Sequence, residues 1–200
     1  MGDLWTKYVQ LYEAHKDDSS DERELGEPAT DEAIAEVEEL LGQPITADLR
    51  ALLKVNDGSA NVGLFSAFNQ TFSCDDLKNE VGIMRDLWED DWKDDNETNG
   101  ANPHWHTDAG IKVSWWRPNW LPISGDGNGN LIVMDFEPDV AKGGVVGQVF
   151  NHDHVMGDHK LLAKSLAALL QGQIEQIEAG VVVWDEGMDN YNTKAFLDEC

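Results

Sequence analysis

Apolar residues recur at intervals of three or four along much of the chain, which is the spacing of one face of a helix. In segment 31–41, Ile34 and Val37 share such a face, while Thr30 can cap its start and Gly42 can end it. The same spacing predicts further helices. They cover segments 4–16, 46–55, 75–88, 158–180 and 192–200.

Short stretches rich in Val, Ile and aromatic residues, bounded by Gly and Pro, predict strands. The clearest are 130–138 and 145–153, and strand character is also expected in 63–72, 112–124 and 181–184. Helices come first, then strands, then helices, an order typical of α+β domains rather than of alternating strand–helix units. We therefore predict an α+β fold: a single domain with a central, mostly antiparallel sheet flanked by helices, and extra helical segments at both termini.

The chain is predicted to divide into three parts. Residues 1–25 form an N-terminal helix and an acidic linker, because the segment after the helix is polar and charged. Residues 26–175 form the α+β domain, and residues 176–200 form a C-terminal extension that packs on it. A chain of 200 residues, of which 41% are hydrophobic, can supply one sizeable core.

The charge of the chain bears on its partners. Thirty-nine Asp and Glu against 14 Lys and Arg give a net charge of −25 at pH 7. Such a field repels nucleic acid and anionic lipid, so neither nucleic acid nor membrane is an expected partner, and it speeds encounter with basic proteins. The acidity can also serve solubility, and charge alone leaves both interpretations open.

The sequence favours the cytoplasm. It has no run of eighteen apolar residues, and its start lacks the basic and apolar segments of a secretory signal. Only Cys74 and Cys200 are present, which is too few for a disulfide framework and fits a reducing compartment.

The segment 121–138, LPISGDGNGNLIVMDFEP, resembles a calcium-binding loop. Asp126, Asn128 and Glu137 occupy the first, third and twelfth positions of that loop. The sixth position, where the loop needs Gly, is Leu131. Prolines upstream and a strand-like run downstream also oppose the helices that flank a calcium loop. We therefore predict a glycine-rich hairpin, with a metal loop as the less favoured alternative.

The other candidate metal ligands are two His-x-His pairs and the polar residues near the second pair. They are His104, His106, His152, His154, Asp153, Asp158 and His159. Their spacing matches no recognised closed zinc site. The chain has no nucleophile elbow, and neither cysteine has the flanking residues of a catalytic nucleophile. We therefore expect no metal, no cofactor and no catalysis, and Ca²⁺ or Zn²⁺ binding is the least favoured alternative.

Tryptophans are concentrated in an acidic part of the chain. Trp88 and Trp92 lie one helical turn apart and are predicted to share a face. Most tryptophans are expected in the core, but an exposed one among carboxylates can anchor a basic partner by stacking on Lys and Arg. The predicted contact surface consists of Trp88, Glu89, Asp90, Asp91, Trp92, Asp94 and Asp95, with Asp126 and Asp135 in reserve.

Four blocks in order resemble the SUKH superfamily, the domain of the fungal cell-wall assembly regulators and their bacterial relatives. An acidic helix ends in Leu-Gly at 41–42, and a second helix closes with Asn-Asp-Gly at 56–58. The stretch 120–135 is similar to the family's Pro-Ile and Gly-Asp-Gly hairpin, and 147–149 to its Gly-Gln-Val strand, which an amphipathic helix follows. The resemblance covers roughly residues 30–172.

This resemblance implies an α+β fold without enzymatic activity. Bacterial members are largely immunity proteins, which bind and block a cognate secreted toxin, often a nuclease, in the cytoplasm of the producing cell. We therefore expect a non-catalytic binding protein that covers a basic toxin's active site with an acidic surface. The alternative is a regulatory scaffold in cell-wall or signalling pathways, as in the fungal relatives.

Overall fold

A computed structural model describes residues 1–15, 25–65, 68–93, 106–186 and 190–193 of the chain. Three of the α-helices in the described residues precede the first strand of the main sheet, one lies between its second and third strands, and one follows its last strand. They are α1 (Gly2–Glu13), α2 (Asp31–Leu41), α3 (Ala47–Leu53), α4 (Cys74–Leu87) and α5 (Leu166–Glu178). A π-helical turn, Trp88–Trp92, extends α4, and a 3-10 turn spans Val140–Lys142.

Side-chain caps mark the starts of α2 to α5. Thr30, Thr46 and Ser165 each accept a hydrogen bond from the backbone N–H three residues further on. Ser73 begins α4 with a capping box, in which its hydroxyl accepts from the Asp76 N–H and the Asp76 carboxylate accepts from the Ser73 N–H. Because the first N–H groups of a helix lack partners within it, these caps determine where each helix begins.

Six strands form one antiparallel meander in the order β1-β2-β3-β4-β5-β6. They are β1 (Ser59–Phe65), β2 (Phe68–Thr71), β3 (Trp120–Gly125), β4 (Leu131–Asp135), β5 (Gln148–His152) and β6 (His159–Ala163). A separate two-stranded sheet pairs β7 (Val182–Asp185) with β8 (Asn190–Thr193). The predicted α+β fold, a single domain with an antiparallel sheet flanked by helices, is confirmed.

The two central strands carry the core. Every residue of β3 and β4 is buried, and a strand covered on both faces reads as a nearly continuous apolar run. Helix α4 packs on β3 and on α2, while α5 packs on β5 and β6. Trp116 and Trp120 are buried at this centre with ring centroids 5.5 Å apart, in agreement with the prediction that most tryptophans lie in the core.

The helix predicted over 158–180 is wrong at its start. Residues 159–163 form β6, which pairs with β5, and α5 begins only at Leu166. Leu161 and Leu162 match the helical spacing of the residues after them, so the periodicity of apolar residues predicted one helix where the chain has a strand and then a helix. The Ser165 cap is the sequence signal that separates the two.

Two other boundaries also differ from the prediction. In the segment 112–124 the strand begins only at Trp120, and the residues before it are irregular. The helix predicted over 192–200 is wrong at residues 192–193, which belong to β8. The rest of that segment lies outside the described residues.

The glycine-rich segment is a hairpin, as predicted. Strands β3 and β4 pair on either side of the turn 126–130, in which Gly127 and Gly129 have φ angles of 73° and 100°. Glycine adopts such positive φ values without strain. The Asp126 carboxylate accepts hydrogen bonds from the N–H groups of Asn128 and Asn130, at 2.7 and 3.1 Å. The group that would be the first calcium ligand therefore closes the turn.

The two terminal segments share an aromatic layer. Tyr12 of α1 contacts Trp184 and Tyr191 of the β7–β8 sheet edge-on, with ring centroids 5.7 and 5.1 Å apart. The Tyr8 hydroxyl donates to the Gly63 carbonyl of β1 at 3.0 Å, and both α1 and β7 pack on α5. The layer thus connects both ends of the described chain to the central domain, while the domain boundaries near 25 and 175 stay predictions.

Candidate partner-binding surface

Helix α4 has one buried and one exposed side. Leu77, Val81 and Met84 lie in the core, at the spacing of one helical face. Ile83 and Leu87 lie one turn apart on the other side and are 45% and 37% exposed. Apolar side chains that cluster in water are typical of contact surfaces.

Acidic side chains surround this exposed apolar pair. Asp86 and Asp90 are exposed and, at helical spacing, lie beside Ile83 and Leu87. Glu89, also exposed, borders the same region. We call this surface the α4 face; it consists of Ile83, Asp86, Leu87, Glu89 and Asp90. It combines apolar contact area with negative charge, which suits a partner of basic and apolar surface.

The α4 face ends on a π-helical turn. The Lys93 N–H donates to the carbonyl of Trp88, five residues earlier, a rare arrangement that occurs often at functional sites. The Lys93 ammonium also pairs with Glu89 at 2.8 Å, and because both side chains are exposed this pair contributes little to stability. The turn therefore displays Glu89 and Asp90, and the pair of Glu89 with Lys93 holds Glu89 only weakly.

The structure distributes the predicted contact residues over different environments. Trp88 is only 8% exposed, so its ring packs in the core rather than on the predicted surface. Glu89 and Asp90 are on the α4 face. Asp91 and Trp92 are described only as backbone members of the π-helical turn, and residues 94–95 lie outside the described residues.

The sequence prediction missed the apolar half of the α4 face. Ile83 and Leu87 have the four-residue spacing that places two side chains together on a helix. Their spacing was visible in the sequence, but which side of the helix faces the core was not. Had Leu77, Val81 and Met84 been assigned to the buried side, Ile83 and Leu87 would have followed as exposed.

Asp126 lies at the end of the central strands β3 and β4. It is half-buried at the start of the β3–β4 turn, and its second carboxylate oxygen accepts from the Asn130 side chain at 2.7 Å. The side-chain oxygen Oδ1 of Asn130 in turn accepts from the His154 N–H at 3.2 Å, in the β5–β6 turn. Asp126 thus organises two neighbouring turns.

Asp135 is fully buried in β4 and is therefore removed from the contact surface. Its carboxylate accepts hydrogen bonds from the Glu137 N–H at 2.8 Å and from the Gln148 side-chain amide at 2.9 Å. Burial raises the pKa of Asp135 above its ordinary value, and these two donors oppose the increase. Gln148 also donates to the Gly110 carbonyl and accepts from the Val145 N–H, so Asp135 supports loop structure.

Glu137, the other carboxylate of the suspected calcium loop, is bound by two basic side chains. Lys112 and Arg117 donate to its Oε1 atom at 2.7 and 2.6 Å. Partial burial acts to raise the pKa of Glu137, but these two cations outweigh it and hold the pKa below its ordinary value. Glu137 is therefore part of an ion-pair cluster, away from the Asp126 turn.

The buried histidines pair across two strands rather than along one strand. His152 is buried and His154 is exposed, so these two do not form a joint ligand set. Instead, His152 Nδ1 and His159 Nε2 are 3.0 Å apart, on directly paired positions of β5 and β6. Burial is the main cause that lowers the pKa of His152 to about 3 and that of His159 to about 4. His106 is exposed, and His104 lies outside the described residues.

Among the residues that the structure describes, no group of three or more His, Cys, Asp or Glu side chains is arranged to hold a metal ion. In the same residues, no helix is both long and apolar enough to cross a membrane.

The antiparallel meander, the helix pair before it and the amphipathic helix after it form one α+β domain. A model of the SMI1/KNR4 family (SUKH-1) matches residues 28–172. The chain therefore belongs to the SMI1/KNR4 family, and the resemblance inferred from the four sequence blocks is confirmed. A search of curated proteins found no match to the chain. Residues 1–15 and the β7–β8 sheet lie outside the matched segment.

Proposed function

We propose that this chain is a non-catalytic binding protein that neutralises a cognate secreted toxin in the cytoplasm by covering the toxin's active site. Membership of the SMI1/KNR4 family is the observation that carries this proposal. The family comprises immunity and regulatory proteins, and the net charge of −25 favours a basic target such as a nuclease.

The α4 face is the proposed contact surface. Its carboxylates attract a basic nucleic-acid cleft over distance and raise the association rate constant. Once the two proteins touch, burial of Ile83 and Leu87 slows dissociation, because removal of apolar surface from water stabilises the complex. Charge and apolar contact therefore act on different kinetic constants, and the two contributions can be separated by mutation.

The test uses a toxin-like domain encoded by a neighbour of the gene for this chain, purified in a catalytically inactive form. Asp86→Asn/Asp90→Asn is expected to lower the association rate several-fold at low salt, with a smaller effect at high salt because ions screen the lost charges. Ile83→Ser/Leu87→Ser is expected to raise the dissociation rate about tenfold. Surface plasmon resonance at two ionic strengths measures both constants.

The matched control is Glu32→Gln/Glu39→Gln on α2. Both carboxylates are exposed on a helix, so this variant changes the net charge equally without touching the α4 face. Its association rate is expected to stay close to that of the wild type. An equal loss in both charge variants would show that only total charge matters and would remove the α4 face from the proposal.

A regulatory scaffold is the alternative that family membership also supports. Affinity capture distinguishes the two functions, because an immunity protein retains one toxin whereas a scaffold retains several housekeeping proteins. If the wild-type protein neither binds nor neutralises a toxin encoded beside its gene, the immunity function is overturned.

A further inference from the structure

The β3–β4 and β5–β6 turns lie side by side at one end of the strands of the main sheet. We call them the double turn; it consists of residues 126–130 and 153–158. Asn130 Oδ1 lies 3.2 Å from both the backbone nitrogen and Nδ1 of His154. A Cβ atom at Gly129 would come within 3.0 Å of the His154 ring, so the two turns are in close contact.

Two apolar side chains protrude from the double turn. Val155 is 75% exposed and Met156 is 57% exposed. Hydrogen bonds hold the turn that presents them, because Asp153 Oδ1 accepts from both of their N–H groups at 2.9 Å. The Gly157 N–H closes the turn on the Asp153 carbonyl at 2.8 Å. An apolar pair held in place before binding loses little conformational entropy in a complex.

Hydrogen bonds also fix the two ends of the segment 153–158. The Asp153 N–H donates to the Asp158 carbonyl at 3.0 Å, and the Asp158 carboxylate accepts from the His106 N–H at 2.7 Å. Directly below, the buried residues His152 and His159 occupy paired positions of β5 and β6. The apolar pair therefore stands on an ordered part of the sheet.

Charge indicates which partner this pair fits. Asp126, Asp153 and Asp158 all belong to the double turn, and among the described residues the hydrogen bonds that their carboxylates accept come from amide donors rather than from Lys or Arg. The loop 139–147 differs, because its exposed valines stand beside Lys142, and Lys164 donates to the Gly143 carbonyl. A basic protein is attracted to the double turn and not to that loop.

We propose that the double turn is a second anchor for the basic partner, with Val155 and Met156 inserting into an apolar pocket rimmed by Lys or Arg. This inference rests on the proposed function, since it concerns the same partner. Met is well suited to such a pocket, because its flexible thioether adapts to irregular apolar surfaces. Neighbouring carboxylates then pair with the basic rim and help to exclude water.

The experiment measures binding of the inactive toxin domain described above. Val155→Ser/Met156→Ser is expected to weaken binding about tenfold or more, mainly through a faster dissociation rate. Its matched control is Val140→Ser/Val146→Ser, which removes two side chains that are 72% and 59% exposed from the loop 139–147. This control is expected to bind within twofold of the wild type.

The outcomes separate this inference from the proposed function. If the wild type binds and the Val155→Ser/Met156→Ser variant binds within twofold of it, the second anchor is overturned and the immunity function stands. An equal loss in the control also overturns the anchor. If the wild type does not bind the toxin domain, both proposals are overturned. Thermal midpoints equal to that of the wild type confirm that both variants are folded, since exposed substitutions change stability little.

Discussion

At the scale of the residue, Asp135 was predicted in reserve for the contact surface, but its buried carboxylate stabilises the fold instead. Asp135→Asn keeps the size of the side chain but turns one acceptor into a donor that faces the Gln148 amide. Gln148 cannot rotate its amide to compensate without losing the bond from the Val145 N–H to its oxygen. We expect a loss of about 1–3 kcal/mol in the free energy of unfolding, the typical cost of an unsatisfied buried group.

Urea denaturation measures that loss. Asp126→Asn is the comparison, because Asp126 is half-buried in the turn between β3 and β4 and its donor Asn128 is exposed. Toxin binding by folded Asp135→Asn is expected to match the wild type. Weakened binding without a loss of stability would return Asp135 to the contact surface.

The pair His152 and His159 predicts a defined pH dependence. Both pKa values, about 3 and about 4, are below the ordinary value of about 6.5 that the unfolded chain has. The unfolded chain therefore binds more protons, so the stability due to each histidine is complete above pH 6.5 and is lost as the pH falls towards 4. The expected slope is about 1.4 kcal/mol per pH unit for each histidine.

Nuclear magnetic resonance tests this pair directly. The ring signals of His152 and His159 are expected to stay those of neutral imidazole from pH 7.5 to pH 5 in the folded protein. In concentrated urea the same rings are expected to titrate near pH 6.5. A midpoint above pH 6 for either ring in the folded state would contradict the prediction.

The partner of His152 could not be predicted from the sequence. The His-x-His spacing suggested His154, since residues two apart share a face of a strand. His152 ends β5, however, and the next residues turn away, so its actual partner is set by the register of β5 on β6. Register depends on the turn between two strands, and the second of these strands was itself predicted as helix.

At the scale of the element, two glycines provide a matched test of left-handed backbone between elements. Gly42 after α2 and Gly58 before β1 have φ angles of 76° and 81°. A Cβ atom at Gly42 would meet nothing within 4 Å, whereas one at Gly58 would lie 2.7 Å from the backbone nitrogen of Ser73. Gly42→Ala is expected to cost about 1–2 kcal/mol, the penalty of left-handed backbone alone.

Gly58→Ala is expected to cost at least twice as much, because the new methyl group also displaces the start of α4. Chemical denaturation of the two variants, compared at one temperature, gives both values. Equal losses in the free energy of unfolding would mean that the start of α4 moves away from the new methyl group without destabilising the protein. The comparison needs no partner protein, so its result is independent of the proposed function.

The helix starts were the most predictable part of the fold. Thr30 and Thr46 stand before apolar spacing and cap α2 and α3 in the structure. Strand β6 was missed, because Leu161 and Leu162 continue the pattern of α5. The π-helical turn was also missed, since its backbone bond depends on packing around Trp88 and no residue pattern specifies it.

At the scale of the whole molecule, the candidate surfaces were only partly predictable. The acidic stretch after residue 85 was identified from composition, but the exposed side of α4 depends on how that helix packs on β3 and α2. The exposure of Val155 and Met156 could not be predicted, because two adjacent apolar residues in a sequence resemble part of a buried strand. Burial and exposure are properties of packing between elements, and a single sequence specifies them poorly.

The aromatic layer at the termini predicts that α1 folds together with the central domain, although it lies outside the family match. Trp5 is fully buried, and its indole N–H donates to the Asn56 side chain at 3.0 Å. The Tyr191 hydroxyl of β8 donates to the Leu11 carbonyl of α1 at 2.9 Å. If these contacts are part of one cooperative unit, truncation of a single buried ring destabilises the whole molecule.

Trp5→Ala is therefore expected to lower the free energy of unfolding by about 3–5 kcal/mol, the range for a buried aromatic residue. Lys7→Ala on the same helix is the control. Its ammonium pairs with Glu178 at 2.7 Å, but both side chains are about half exposed, so its loss is expected to stay below about 1 kcal/mol. Far-ultraviolet circular dichroism and tryptophan fluorescence should report one coincident transition for all three proteins. Two separate transitions, or a Trp5→Ala variant as stable as Lys7→Ala, would show that α1 does not unfold cooperatively with the central domain.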